Sequence, residues 1–146
     1  MKPLRLLYWA STGLLAAFML MASVPDILQV PMAVEVFRHL GYPAYLLPFV
    51  GTAKILGVAA VLFPGFGRVK EWAYAGLVFD LTGALHSHLS VGDAASAWSM
   101  PILGLVLVTV SYVFYRKTLV PADRSLDAGR ASRPGVAIRR VTPEPE

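Results

Sequence analysis

The sequence predicts an all-α integral membrane protein: a four-helix bundle with both termini cytoplasmic and a short outer interfacial helix between the first two spans. Of the 146 residues, 56% are hydrophobic and 15% are charged, whereas soluble domains average about 45–50% and about 25%. Four long apolar segments contain over half of the chain, and proline and glycine separate them. Most basic residues flank these segments on one side.

Composition and motifs also exclude several protein classes. The chain has no cysteine, which rules out a disulfide scaffold, a cysteine-based zinc site and a thiolate nucleophile. It contains no phosphate loop, dinucleotide fingerprint, nucleophile elbow or two-histidine metal motif. We therefore predict no metal site, and whether the protein is an enzyme stays open.

Each predicted span is long enough to cross a hydrocarbon core of about 30 Å, which needs about 20 apolar residues. The first span, 6–24, is uncharged and is expected to stay as an anchor, because its apolar run exceeds that of a secretory signal. The second, 44–63, carries one lysine, and the third, 72–89, carries one aspartate and two histidines. The fourth, 97–115, is uncharged.

Prolines and glycines between the spans mark the expected ends of the helices. Pro25 and Pro31 are expected to end the first span, which leaves Asp26 in a loop. A tight turn at 64–67 joins the second and third spans, and the pair at 92–93 precedes the fourth.

The segment between the first two spans has an amphipathic pattern. Its apolar residues fall on one helical face, and its polar residues fall elsewhere. This pattern predicts a short helix at the outer membrane interface, or one that folds back as a lid over the bundle. The apolar residues are Met32, Val36, Phe37 and Leu40, and the polar residues are Glu35, Arg38 and His39.

The positions of the basic residues predict the orientation. Basic residues lie before the first span, between the second and third, and after the fourth, so that eleven of the 13 are on one side. By the positive-inside rule that side is cytoplasmic. We predict a membrane domain at 1–117 and a disordered cytoplasmic tail at 118–146. Because the basic residues flank spans, they indicate topology and not nucleic-acid binding.

Lys54 and Asp80 are the two charges inside the spans, where each costs about 2.5–3.5 kcal/mol on insertion scales. Both lie about 12–14 Å from the cytoplasmic ends of adjacent antiparallel helices, so we predict that they pair. Either the pair fixes the helix register, or it forms a proton relay or polar binding site. The flanking residues that should let these helices pack closely are Gly51, Gly57, Gly76 and Gly83.

The outer end of the third span offers a second candidate site. His86 and His88 lie about 200° apart on a helix and cannot face one metal. Haem is not expected, because no other span carries a histidine. His88 is expected to line an outward-opening pocket or to make an interfacial hydrogen bond. The candidate ligand-binding residues are Glu35, His39, Tyr42, Ser87 and His88.

A series of short motifs runs through about residues 6–116. The motifs are Phe37-Arg38-His39-Leu40-Gly41-Tyr42-Pro43, Lys54-Ile55-Leu56-Gly57, Pro64-Gly65-Phe66, Lys70-Glu71-Trp72-Ala73-Tyr74-Ala75-Gly76, Phe79-Asp80-Leu81 and Ser87-His88. In this order and spacing they resemble the DoxX-like family of small bacterial four-helix membrane proteins.

The resemblance implies a role in redox chemistry at the bacterial cytoplasmic (inner) membrane. The relatives that give the family its name are membrane subunits of a thiosulfate:quinone oxidoreductase. The wider group is similar to the membrane part of vitamin-K-dependent carboxylases, in which quinol chemistry uses a buried lysine. The lack of cysteine in this chain counts against direct thiol or sulfur chemistry.

From the resemblance we expect a quinone- or lipid-binding membrane subunit of a redox system, with Lys54 and Asp80 in proton handling. The expected partners are the lipid bilayer, another membrane or peripheral redox protein, and a second copy of the chain. Two alternatives stay open. One is a non-catalytic scaffold or assembly factor, and the other is a small proton-coupled transporter.

Overall fold

The computed structural model describes residues 2–63, 65 and 67–131, and these residues form five α-helices and no strand. Four long helices form a ring in which α1 and α4 each pack against both α3 and α5. The short α2 contacts α1 and α3 at one end of this ring, which we name the α2 end. The helices are α1 (Lys2–Ile27), α2 (Pro31–His39), α3 (Leu46–Leu62), α4 (Gly67–Ser90) and α5 (Ala95–Ala131).

Two helices are long and apolar enough to cross a membrane: Pro3–Ile27 within α1 and Ala95–Leu119 within α5. A third apolar helix, Leu46–Leu62, is shorter. Only 33% and 22% of the most apolar windows of α1 and α5 are buried. The core helix of a soluble protein would be mostly buried, so these exposed apolar faces are typical of helices that contact lipid.

The first helix does not end where the sequence predicts. Pro25 lies inside α1, which continues to Ile27, and the chain turns at Gln29 with a φ of 49°. A proline in the last turn removes one backbone hydrogen bond, but its φ is compatible with a helix. Asp26 was predicted to lie in a loop, which is wrong: it belongs to α1 and is buried.

Two further helix bounds differ from the prediction. α4 begins at Gly67, so Lys70 lies in its first turn and is buried instead of lying in a loop. α5 continues beyond Thr118 to Ala131, because each residue added to a nucleated helix gains a backbone hydrogen bond. The remainder of the predicted disordered tail, 132–146, lies outside the described residues.

The middle of the bundle is filled by a layer of buried apolar side chains from all four long helices. Each of these side chains is at most 4% exposed, so this region excludes water. We name it the apolar layer, and it consists of Leu15, Met19, Val58, Val61, Leu77 and Val108.

Polar side chains on the far side of the apolar layer, away from the α2 end, satisfy one another. The Ser111 hydroxyl lies 2.8 Å from both the Thr12 hydroxyl and the Tyr74 hydroxyl, and all three residues are buried. Lys70 Nζ donates to the Tyr8 hydroxyl at 3.0 Å and lies 5.6 Å from the centroid of that ring. Aromatic ring faces stabilise a buried ammonium group, so this end of the bundle is closed.

The glycines near the charged residues have two different surroundings. A Cβ atom on Gly51 would lie 2.8 Å from Cγ1 of Ile27 and 2.9 Å from a backbone oxygen of α1. A Cβ on Gly57 would lie 3.2 Å from a methyl carbon of α4. Gly76 and Gly83 would meet nothing within 4 Å. The predicted close packing is therefore confirmed at the first two glycines and wrong at the last two.

We predict that Gly51→Ala destabilises the bundle, because the new methyl group would push α1 and α3 apart. Overpacking of this kind costs about 1–3 kcal/mol. Gly76→Ala is the matched control, and it should be neutral or should stabilise the helix by up to about 1 kcal/mol. Thermal unfolding of the two variants in detergent measures the difference. Equal melting temperatures would show that the α1–α3 contact does not require glycine.

Candidate functional site

Lys54 lies between two carboxylates inside the bundle. Its Nζ atom donates to Oδ2 of Asp26 at 3.1 Å and lies 3.7 Å from Oδ2 of Asp80. The three side chains are 15%, 13% and 24% exposed, respectively. The predicted pairing of Lys54 with Asp80 is confirmed, and Asp26 is an additional and closer partner. We name these three residues the charge triad.

Local packing explains how three helices bring these side chains together. Gly51 lies one turn before Lys54 and lets α3 approach α1 at Asp26. Gly57 of α3 packs against Leu77 of α4. Lys54 lies three residues before Gly57, and Asp80 lies three residues after Leu77. Because the two helices are antiparallel, Lys54 and Asp80 lie at the same level. The triad is therefore fixed by two close helix contacts, one on each side of α3.

A sequence signal for Asp26 does exist. Thr12, Ala16 and Ser23 form a stripe of small residues along the first span, and all three are buried. Asp26 follows Ser23 by three positions and so continues the same face of the helix. The expected break at Pro25 concealed this continuity.

The charge balance of the triad determines what it can do chemically. With all three groups ionised, two carboxylates face one ammonium group, which leaves a formal excess of one negative charge. An unbalanced charge in surroundings of low dielectric constant is costly. One bound proton would remove this excess, which makes the triad a candidate for proton exchange.

A second group of polar side chains lies at the α2 end. The hydroxyls of Tyr42 and Ser87 are 2.8 Å apart. Asp93 accepts through one oxygen from His88 Nδ1 at 2.6 Å and through the other from His39 Nε2 at 2.7 Å. These contacts hold the α2–α3 segment against the end of α4. Four of the five predicted ligand-binding residues thus make hydrogen bonds here: Tyr42 binds Ser87, and His39 and His88 both bind Asp93. We name these five residues the α2-end group.

Asp93 is the residue of this hydrogen-bonded group that the sequence did not identify as a candidate. It follows Gly92, whose φ is 77°, and this turn points the carboxylate back at His88. The residues around Gly92 predict a turn, but they do not show which side chain the acidic residue of that turn binds.

The structure does not bring Glu35 into the charge triad or into the α2-end group. Its side chain is 74% exposed and lies 3.6 Å from Arg38 one turn later on the same helix. His86 interacts with Ser90 of its own helix, and its ring nitrogen is 3.4 Å from that hydroxyl. Among the described residues, no three His, Cys, Asp or Glu side chains are arranged to hold a metal ion.

The charge triad and the α2-end group are connected along one face of α4. Asp80 and Ser87 are seven residues apart, so they lie on the same face and are separated by about 10 Å along the helix. Gly83 lies between them, and the space beside it is open. Its carbonyl accepts a hydrogen bond from the Ser87 hydroxyl at 2.8 Å.

The two histidines change the ionisation of Asp93. Hydrogen bonds from His88 and, second, from His39 hold the pKa of the Asp93 carboxyl below its ordinary value. Because this pKa is lower in the folded than in the unfolded chain, these bonds stabilise the fold above the ordinary carboxyl pKa. The stabilisation is lost as pH falls through the lowered pKa.

We therefore predict that Asp93→Asn lowers the melting temperature at about pH 7, and that this deficit shrinks at about pH 2, below the ordinary aspartate pKa of about 3.9. Thermal unfolding at both pH values measures it. Glu35→Gln is the control: it removes an exposed carboxylate of the same end and should have little effect at either pH. A deficit that does not change with pH would contradict the proposed role of these hydrogen bonds.

Comparisons with known proteins identify the family. The sequence profile of the DoxX-like family matches residues 10–111, which include every residue of the two polar groups. The chain is 31% identical over 105 residues to the uncharacterized protein YdgD of Bacillus subtilis (strain 168), covering 67% of this chain and 91% of that protein. No solved structure matches the chain significantly. The chain belongs to the DoxX-like family.

Proposed function

We propose that the protein is a membrane subunit of a redox system that binds a quinone or a similar lipid, and that the charge triad exchanges protons with this ligand. The observation that carries the proposal is the position of Lys54 between Asp26 and Asp80, within helices whose outer faces are apolar. Burial of an unbalanced set of charges has a high cost. Proton exchange inside the bundle is a function that depends on such buried ionisable groups.

The proposal includes the arrangement in the membrane. The four long helices span the bilayer, and the exposed aromatic side chains of Phe49, Trp72 and Phe79 contact lipid. Basic residues concentrate at the end opposite α2, so by the positive-inside rule that end is cytoplasmic. The α2 end then faces outward, and α2 lies at the outer interface with exposed Met32 against the headgroups.

The donors and acceptors of the triad fit the head group of a quinone. The Lys54 ammonium group can donate a hydrogen bond to a quinone carbonyl, and a carboxylate can accept from a quinol hydroxyl. Asp80 is the most exposed member of the triad, and the space beside Gly76 and Gly83 is open. In this proposal the chain holds the ligand and moves its protons, while electrons pass to or from a partner redox protein.

We predict that Lys54→Met weakens the binding of menaquinone or ubiquinone to the purified protein by about tenfold to a hundredfold, since a hydrogen bond to a charged group contributes about 1.5–3 kcal/mol. Lys70→Met is the matched control, because it removes the other buried lysine, which lies beyond the apolar layer. Lys54→Met combined with Asp26→Asn restores the formal charge of the wild-type triad and guards against misfolding. Unchanged affinity in a folded Lys54 variant would reject the proposal.

A second candidate function is a non-catalytic scaffold or assembly factor, favoured by the Lys54–Asp26 contact at the closest approach of α1 and α3. A scaffold needs the charges only as a helix contact. It predicts that exchanging all three charges, in Asp26→Lys with Lys54→Asp and Asp80→Lys, keeps both contacts and leaves the protein folded and functional in the cell. Loss of function in a correctly folded exchange variant would reject the scaffold and support the quinone site.

A further inference from the structure

We propose that the charge triad exchanges protons with the α2 side of the membrane alone, along the face of α4 between Asp80 and Ser87. In this inference Asp93, His39 and His88 form the mouth of the route. It rests on the proposed function, because it concerns the protons that the triad handles. Its evidence is the distribution of polar and apolar groups on the two sides of the triad.

Toward the α2 end, polar groups continue from the triad to the surface. The longest interval is the stretch of about 10 Å between Asp80 and Ser87 along the helix. A Cβ at Gly83, in the middle of this interval, would meet nothing within 4 Å, so no side chain covers the helix surface there. Water beside a carboxylate, a backbone carbonyl and a hydroxyl has the polar partners that it needs.

Beyond Ser87 the polar side chains form two separate hydrogen-bonded groups. The Ser87 hydroxyl lies 2.8 Å from the hydroxyl of Tyr42, and His88 is the next residue of α4. Asp93 joins His88 to His39, whose side chain is 55% exposed. Asp93 and the two histidines therefore place hydrogen-bond donors and acceptors where the route meets the surrounding water.

In the opposite direction the apolar layer lies between the triad and the next polar groups inside the bundle, although the space beside Gly76 is as open as that beside Gly83. Within the described part of the chain, Val58 and Leu77 lie about one turn from Lys54 and Asp80 on this side and are 4% and 3% exposed. The first polar groups beyond them are the hydroxyls of Thr12 and Ser111, which bond to each other. A proton has no acceptor within this layer, so exchange through it is expected to be slow.

The absence of cysteine makes a direct test straightforward, because one introduced thiol is the only thiol in the chain. Gly83→Cys and Gly76→Cys place it on the same face of α4, on either side of Asp80, and both positions have open space. A thiol reacts with maleimide as the thiolate, which forms in water and not in lipid. Each variant is treated in membrane vesicles with a membrane-impermeant maleimide, applied from one side at a time.

We predict that Gly83→Cys reacts from the α2 side at least about tenfold faster than from the other side, and at least about tenfold faster than Gly76→Cys, because Gly83 lies between Asp80 and the polar groups of the α2 end, whereas Gly76 lies toward the apolar layer. Labelling from the opposite side would overturn the inference. Equal rates for the two variants would also overturn it, and so would no labelling of Gly83→Cys.

Ser87→Cys serves as a second reporter, because it exchanges one oxygen for sulfur and so disturbs packing least. It is expected to react from the α2 side as well, and a thiol that reacts only after denaturation would count against the route.

Labelling needs no bound quinone. If quinone binding fails while labelling is one-sided, the proposed ligand is wrong and the access route stands. If quinone binds but the labelling is not one-sided, the access route is wrong and the proposed ligand stands.

Discussion

The contact of Lys54 with two carboxylates is the interaction on which the arrangement of the helices depends. It joins α1, α3 and α4 at one level, and it requires the close approach at Gly51 that brings Asp26 within 3.1 Å. Desolvation of three charged groups offsets much of their attraction, so such a cluster adds little net stability. Its contribution is to fix which helices meet and at which register, and to hold three ionisable groups inside an apolar bundle.

Around this contact the bundle is divided into two polar regions of different kinds. On the α2 side of the apolar layer the polar groups are titratable, include exposed members and adjoin open space at Gly83. On the other side the buried hydroxyls of Thr12, Ser111 and Tyr74 are bonded to one another. The first region is the candidate site, whereas the second holds α1, α4 and α5 together. A single apolar layer thus separates the candidate site from the structural network.

The long helices and the Lys54–Asp80 pair could be predicted from the sequence, because hydropathy locates apolar helices and equal depth on adjacent helices brings opposite charges together. Asp26, Lys70 and Asp93 could not be placed, and each lies near a helix end. Whether a proline or glycine ends a helix depends on tertiary contacts that local sequence does not contain. Asp93 also binds His39 across 54 positions. The pairing of such distant polar residues follows from the assembled bundle.

The two tethers of the α2–α3 segment bear on the order in which the protein assembles. Tyr42 and His39 bind residues 45 and 54 positions further along the chain, all of which belong to the end of α4 or the turn after it. When α1, α2 and α3 have been synthesised, these partners do not yet exist. The segment around α2 can therefore reach its final position only after α4 has been inserted. Closure of the α2 end is then a late step of assembly, and until α4 arrives Lys54 has Asp26 but not Asp80 as a partner.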